Sequence, residues 1–191
     1  MDYTHDDSRS TAAKIVVAGG FGVGKTTFIA SVSDIEPLRS EAAMTAAGVG
    51  IDEIAAVPDK ETTTVAMDFG RIRLGEDLVL YVFGTPGQHR FWFMWDDIVR
   101  GAIAAVVLID TRRLADCFAA IDYFERCGVP FLVAVNQFEG AHRFRQEDIR
   151  DALALPPEIQ VIDCDARSAE SARRVLVAAS EYALSLLGVS R

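Results

Sequence analysis

Short runs of apolar residues recur along the chain, at positions 15–18, 78–83, 103–109, 131–135 and 159–162. Each run is continuously apolar instead of alternating with polar residues, which is typical of parallel strands covered on both faces. The segments between them predict helices at 26–33, 92–100, 112–127, 146–153 and 168–187. The last helix is the clearest, because Ala172, Leu176 and Ala183 recur with the spacing of one helix face.

Residues 64–74 differ from these runs because polar and apolar positions are mixed. The Gly-Glu-Asp sequence at 75–77 predicts a tight turn into the run at 78, and hence an antiparallel hairpin at the sheet edge. The whole pattern predicts a three-layer α/β domain, with a mostly parallel sheet and ligand sites at the carboxyl ends of its strands. We expect residues 12–191 to form this single domain, after a polar, disordered tail at 1–11.

The charge balance of the chain argues against some classes of binding partner. The chain has 19 basic and 28 acidic residues, a net charge of −9. An acidic surface repels polyanions, which argues against nucleic acid and against direct binding to an anionic membrane. No apolar run is long enough to span a bilayer, and no lipidation motif is present. We therefore expect a cytoplasmic protein without its own membrane anchor, recruited to the inner membrane face only through a partner.

A glycine-rich loop follows the first apolar run. It matches the phosphate-binding pattern G-x-x-x-x-G-K-[ST] with Gly19, Gly20, Phe21, Gly22, Val23, Gly24, Lys25 and Thr26. The strand before it and the helix predicted after it, which includes Thr27, are the context that the pattern requires. Successive backbone N–H groups of such a loop point at phosphate oxygens, and the helix N-terminus adds partial positive charge. Lys25 is expected to contact the β- and γ-phosphates, and the Thr26 hydroxyl to bind Mg²⁺.

A second loop follows the run at 78–83. Its sequence, Gly-Thr-Pro-Gly-Gln at 84–88, resembles the D-x-x-G-Q loop of Ras-like GTPases. The resemblance implies that the Gly87 N–H contacts the γ-phosphate and that Gln88 is catalytic together with Lys25, by positioning the attacking water. Gly84 stands where that family has an aspartate that supports the Mg²⁺ shell. This departure puts the Mg²⁺ affinity, or the arrangement of its outer shell, in question.

Two further loops have the residues to recognise a guanine base. Asn136, Gln137 and Glu139 follow the run at 131–135 and resemble the N-K-x-D loop of the same family. A carboxylate here accepts hydrogen bonds from guanine N1–H and its exocyclic amine, whereas adenine offers a lone pair at N1 and no amine at C2. Asp165, Ala166 and Arg167 resemble the S-A-K loop, in which the alanine N–H donates to guanine O6.

A narrower resemblance covers residues 19–27, 62–70, 83–101 and 110–117. These stretches are similar to the small GTPases of actinobacterial conservon operons, which are relatives of the bacterial MglA GTPases that also lack the aspartate of the second loop. The resemblance implies a signalling switch that works with GTP, GDP and Mg²⁺. It also implies two partners, a roadblock-type protein and a membrane protein similar to a sensor kinase.

Three features modify this interpretation. Among the threonines at 62–64, Thr64 is the expected second Mg²⁺ ligand and Thr63 the next candidate, although β-propensity alone could place threonines at the start of an edge strand. Phe21 stands where Ras has a glycine, and its ring could hinder an inserted arginine finger and slow hydrolysis. Successive large apolar residues cannot all face inward on a helix, so we expect a partner to contact Phe91, Trp92, Phe93 and Trp95.

Two alternative functions remain open. A nucleotide-bound interaction module with negligible turnover would fit Gly84 and Phe21. A small P-loop ATPase or kinase would fit the phosphate-binding loop alone.

Overall fold

The computed structural model describes residues 11–36, 38–44 and 63–188. Its strands are β1 Thr11–Ala18, β2 Leu38–Met44, β3 Thr63–Leu74, β4 Leu78–Gly84, β5 Ala104–Ile109, β6 Phe131–Asn136 and β7 Val161–Cys164. Its α-helices are α1 Lys25–Val32, α2 Trp95–Val99, α3 Phe118–Cys127, α4 Gln146–Ala152 and α5 Ala169–Leu186. Short 3₁₀ segments, His89–Met94 and Thr111–Cys117, lead into α2 and α3.

The strands form one sheet in the order β2-β3-β4-β1-β5-β6-β7. β1 pairs in parallel with β4 and β5, and β5, β6 and β7 continue the parallel part. The predicted α/β class and the antiparallel hairpin of β3 and β4 are confirmed. The hairpin is not the edge, however, because β2 pairs antiparallel to the outer side of β3. The sequence at 38–44, LRSEAAM, has neither an apolar run nor strict alternation, so it gave no strand signal.

Alternate residues of the strands face two separate cores. On one face Ile15 and Val17 pack with Phe28 of α1 and Val175 of α5. On the other face Val16 and Ala18 pack in a second buried cluster with residues of α2, α3 and α4. Every residue of β5 and β6 is buried. Cover on both faces explains why these two strands are continuously apolar.

Several predicted boundaries shift. The helices predicted at 92–100 and 112–127 each begin as 3₁₀ turns, and the second is interrupted at Arg113, which has φ −141° and ψ 54°. The last strand begins at Val161 instead of 159. Of the predicted tail at 1–11, residues 1–10 lie outside the described residues, and Thr11 is the first residue of β1. In the described ranges no helix is long and apolar enough to cross a bilayer.

Candidate nucleotide site

The glycine-rich loop connects the end of β1 to the start of α1, at the carboxyl edge of the parallel strands. Gly24 is left-handed, with φ 104°, and is the N-cap residue of α1. A β-carbon on Gly24 would lie 2.6 Å from Nδ2 of Asn136, and one on Gly19 would lie 2.3 Å from the carbonyl oxygen of Leu108. Both positions therefore need glycine for close approach as well as for conformation.

The Lys25 side chain lies inside the curve of this loop. Its Nζ donates to the carbonyl oxygens of Gly19 and Gly20, at 2.9 and 2.8 Å. Burial lowers the pKa of Lys25 to about 8, and the negative charge of Asp68 offsets part of that effect. A positive charge held in a poorly hydrated site is stabilised by an anion placed beside it. The arrangement suits the phosphate-binding role predicted for Lys25.

Asp68 of β3 was not predicted as a site residue. Its carboxylate is buried, and its Oδ2 accepts a hydrogen bond of 2.6 Å from the Thr26 hydroxyl. A hydroxyl and a carboxylate side by side are hard oxygen donors of the kind that Mg²⁺ takes, so these residues fit the metal that the motif implies. Thr64 also belongs to β3. Its side chain is outside the described part of the chain, so its ligation of Mg²⁺ stays a prediction.

The loop after β4 lies against the phosphate-binding loop. A β-carbon on Gly87 would be 2.8 Å from Lys25 Nζ and 2.9 Å from the Phe21 backbone. Gly87 and Gln88 line a cleft of about 380 Å³ together with Phe21, Trp92 and other residues. The structure thus brings the two predicted catalytic residues, Lys25 and Gln88, to neighbouring loops.

The aromatic residues after Gln88 divide between the core and the surface. Phe91 and Trp95 are buried, Trp92 is half-buried and Phe93 is 60% exposed. The indole Nε1 of Trp95 donates to the Pro86 carbonyl at 3.2 Å. Trp95 is therefore held against the loop that contains Gly87. Phe91 and Trp95, which were expected at a partner surface, instead pack inside the domain, and Phe93 is the aromatic side chain in this segment most open to a partner.

Asn136 joins three of the predicted loops. Its Nδ2 donates to the Val23 carbonyl at 2.9 Å, and its Oδ1 accepts from the Ala166 N–H at 3.0 Å. Both bonds are buried. The Ala166 N–H, which the resemblance assigns to guanine O6, therefore donates to Asn136 in this structure. The amide of one side chain therefore sets the distance between the phosphate-binding loop and the two loops predicted to recognise the base.

The base loops enclose a pocket of about 190 Å³. It is lined by Gly22, Gly24, Thr27, Asn136, Gln137, Phe138, Glu139, Ala166 and Arg167. Two contacts shape its rim. Gln137 donates to Asp163 at 2.8 Å, and Arg167 pairs with Asp165 at 3.0 Å, which lowers the pKa of that carboxyl.

Two arginines after β5 also support the site. Arg113 donates to the Phe21 carbonyl at 2.8 Å. Arg112 is paired with Asp110 and lies 3.9 Å from the centre of the Phe138 ring, a cation–π contact. In the sequence, the available signal for these two residues was a pair of consecutive arginines directly after a strand. Nothing in the sequence showed which loops these side chains would reach.

The fold and the phosphate-binding loop define a class, the P-loop NTPase domains with the architecture of a G domain. Residues 17–186 match the model of a family described as "Conserved hypothetical ATP binding protein". The chain belongs to that family. The class predicted from the phosphate-binding loop is confirmed at this level.

The chain is also similar to individual proteins. Over 126 residues the chain is 34% identical to an uncharacterised protein, MJ1339, of Methanocaldococcus jannaschii, covering 65% of this chain and 69% of that protein. The solved G domain of FeoB from Methanococcus jannaschii is 14% identical, with a TM-score of 0.60 over 91% of this chain and 98% of that one. The G domain of the T. maritima FeoB iron transporter is also 14% identical, with a TM-score of 0.62 over 91% and 99%. The solved structures share the fold.

Replacing Asn136 tests whether its amide holds these loops together. We expect Asn136→Ala to lower the free energy of unfolding by about 2–4 kcal/mol, because the buried Val23 carbonyl and Ala166 N–H both lose their partner. Gln137→Ala is the matched control, since its side-chain bond is exposed, and we expect it to cost less than about 1 kcal/mol. Urea denaturation measures both. Equal losses in the two variants would contradict the proposed role of Asn136.

Proposed function

We propose that this protein binds GTP with Mg²⁺ and hydrolyses it to GDP as a molecular switch. The observation that carries the proposal is the double hydrogen bond of Asn136, which ties the loop around Lys25 to the loops containing Glu139 and Ala166. The pocket that Glu139 and Ala166 line also includes Gly22 and Gly24 of the phosphate-binding loop. A phosphate site and a base pocket therefore adjoin, and the ligand that we propose for them is a purine nucleotide.

The base pocket favours guanine. Glu139 lines it and is an acceptor-only group when ionised. A site built to accept hydrogen bonds from guanine discriminates strongly against an isostere that lacks the donors. The family description names ATP, and an ATPase is therefore the second candidate. The two candidates differ in whether the protein binds GDP or ADP with the higher affinity.

Hydrolysis is assigned to the cleft between the phosphate-binding loop and the loop after β4. Lys25 holds phosphate oxygens, and Gln88 orients the attacking water. Bound Mg²⁺ would supply neutralisation of the charge on the β- and γ-phosphate oxygens, with the Thr26 hydroxyl among its ligands. Phe21 is 66% exposed beside this cleft. Phe21 stands where Ras has a glycine, and its ring would hinder an arginine finger inserted there, so we propose that turnover is slow.

Exposed aromatic side chains at and near the proposed hydrolysis cleft form the proposed partner surface. Phe21 and Phe93 are both exposed, and Phe21 and Trp92 line the same cleft. Exposed aromatic side chains are enriched at interface hot spots. Following the resemblance to conservon GTPases, we propose a roadblock-type protein at this surface and a membrane protein similar to a sensor kinase as a second partner. With these partners we propose a cytoplasmic protein that a partner recruits to the inner membrane face.

Glu139 decides the choice of base in this proposal. We expect Glu139→Ala to weaken GDP binding roughly 10- to 100-fold, because a charged acceptor of hydrogen bonds is lost, and to leave ADP binding unchanged or slightly stronger. Competition of each nucleotide against a fluorescent GDP analogue measures the ratio. Glu147→Ala, at an exposed glutamate of α4, is the control. Selectivity that is the same in all three proteins would contradict guanine recognition by Glu139.

Gln88 is expected to act on turnover and not on binding. Gln88→Ala should slow single-turnover GTP hydrolysis roughly 10²-fold, because the water is no longer held in line. Its affinity for GDP should stay that of the wild type. The exposed Gln146 provides the control variant Gln146→Ala. Hydrolysis at the wild-type rate in Gln88→Ala would remove this residue from the mechanism.

Trp95 reports the movement of the second loop. Because its indole is bonded to Pro86, we expect the fluorescence of a Trp92→Phe variant, in which Trp95 is the remaining tryptophan, to change when a non-hydrolysable GTP analogue replaces GDP. The contact of Gly87 with a γ-phosphate would shift the loop and the indole together. An identical spectrum in the two nucleotide states would count against a switch at this loop.

A further inference from the structure

We infer that Asp68 of β3 supplies the metal-site carboxylate that position 84 lacks. In the family pattern that this chain resembles, an aspartate at the end of the strand here called β4 supports the Mg²⁺ shell, and this chain has Gly84 there. The inference rests on the proposed function, because it concerns the Mg²⁺ bound with the nucleotide.

Positions 68 and 84 share one space. A β-carbon built on Gly84 would lie 3.2 Å from the β-carbon of Asp68 and 3.4 Å from its Oδ2. β3 and β4 are adjacent antiparallel strands, and each of these residues lies next to the paired Phe69 and Phe83. A carboxylate that starts from β3 therefore occupies the volume that a side chain at 84 would need. Glycine at 84 makes room for it.

The Asp68 carboxylate also has the contacts of a metal-site group. Its Oδ2 accepts from the Thr26 hydroxyl at 2.6 Å, the hydroxyl that the loop motif assigns to Mg²⁺. Its charge acts on Lys25 and raises the pKa of that amine against the effect of burial. A carboxylate that is 8% exposed is costly unless it serves a cation or hydrogen-bond donors. Here a phosphate-binding lysine and a metal-binding hydroxyl are both beside it.

A merely structural role makes a different prediction. If Asp68 only fastened the first turn of α1 to β3 through Thr26, its loss would weaken nucleotide binding equally with and without Mg²⁺. A carboxylate that supports the metal acts only when Mg²⁺ is present. The ratio of the two affinities therefore separates the roles.

The test measures the dissociation of a fluorescent GDP analogue from the full chain, in Mg²⁺ and in EDTA. Asp68→Asn keeps an acceptor for the Thr26 hydroxyl but loses the charge. We expect it to reduce the slowing of dissociation by Mg²⁺ roughly 10- to 100-fold, as for other outer-shell metal groups, with the rate in EDTA unchanged. Asp77→Asn, in the exposed turn between β3 and β4, is the matched control and should behave as wild type.

A swapped pair tests the shared space directly. Asp68→Gly combined with Gly84→Asp moves the carboxylate to the other strand, and we expect it to regain most of the Mg²⁺ effect that Asp68→Gly alone loses. A wild-type Mg²⁺ effect in Asp68→Asn, or an equal loss in Mg²⁺ and EDTA, would overturn the inference. So would a swapped protein no more responsive to Mg²⁺ than Asp68→Gly. Failure of the wild type to bind GDP in either condition would instead overturn the proposed function.

Discussion

The site depends on one buried amide. Asn136 bonds to Val23, which is 113 residues away in the chain, and to Ala166, which is 30 residues away. Backbone groups buried at loop ends need partners, and here a single side chain satisfies one carbonyl and one N–H from different loops. The same bonds fix how far the phosphate-binding loop lies from the pocket that we propose for the base. Structural stability and ligand geometry thus come from the same contacts.

The sheet places the other components around that amide. Parallel strands end at a common edge, and β1, β4 and β6 each lead into a loop of the site. β3 runs antiparallel to β4. It contributes Asp68 to the site. Its carboxylate is bonded to Thr26 and acts electrostatically on Lys25. Positive and negative groups are therefore packed at the start of α1, where the helix N-terminus adds partial positive charge.

Much of this architecture could be predicted from local sequence. Strands such as β5 and β6 are buried on both faces, so their continuous apolarity indicated both their position and their environment. The glycine-rich loop was recognisable because close backbone approach and left-handed conformation restrict its residues. The weakly patterned β2 was missed, because pairing to β3 and not its own periodicity defines it.

Asp68 and Arg113 were not predicted as site residues for the same reason. Asp68 contacts Thr26 across 42 residues of chain, and Arg113 contacts Phe21 across 92. An isolated aspartate in a strand of mixed polarity, or an arginine after a strand end, carries no signal about a distant partner. Only the fold brings these pairs together. The absence of an aspartate at 84 was visible in the sequence, but the residue beside that glycine was not.

Calorimetric titration of nucleotide-free protein with GDP and with ADP, in the presence of Mg²⁺, tests the central claim most directly. The account predicts one site per chain and much tighter binding of GDP than of ADP. Tighter binding of ADP would be consistent with the phosphate-binding loop but would contradict the proposed recognition of guanine by the base pocket. No heat of binding with either nucleotide, from protein shown to be folded, would contradict the account as a whole.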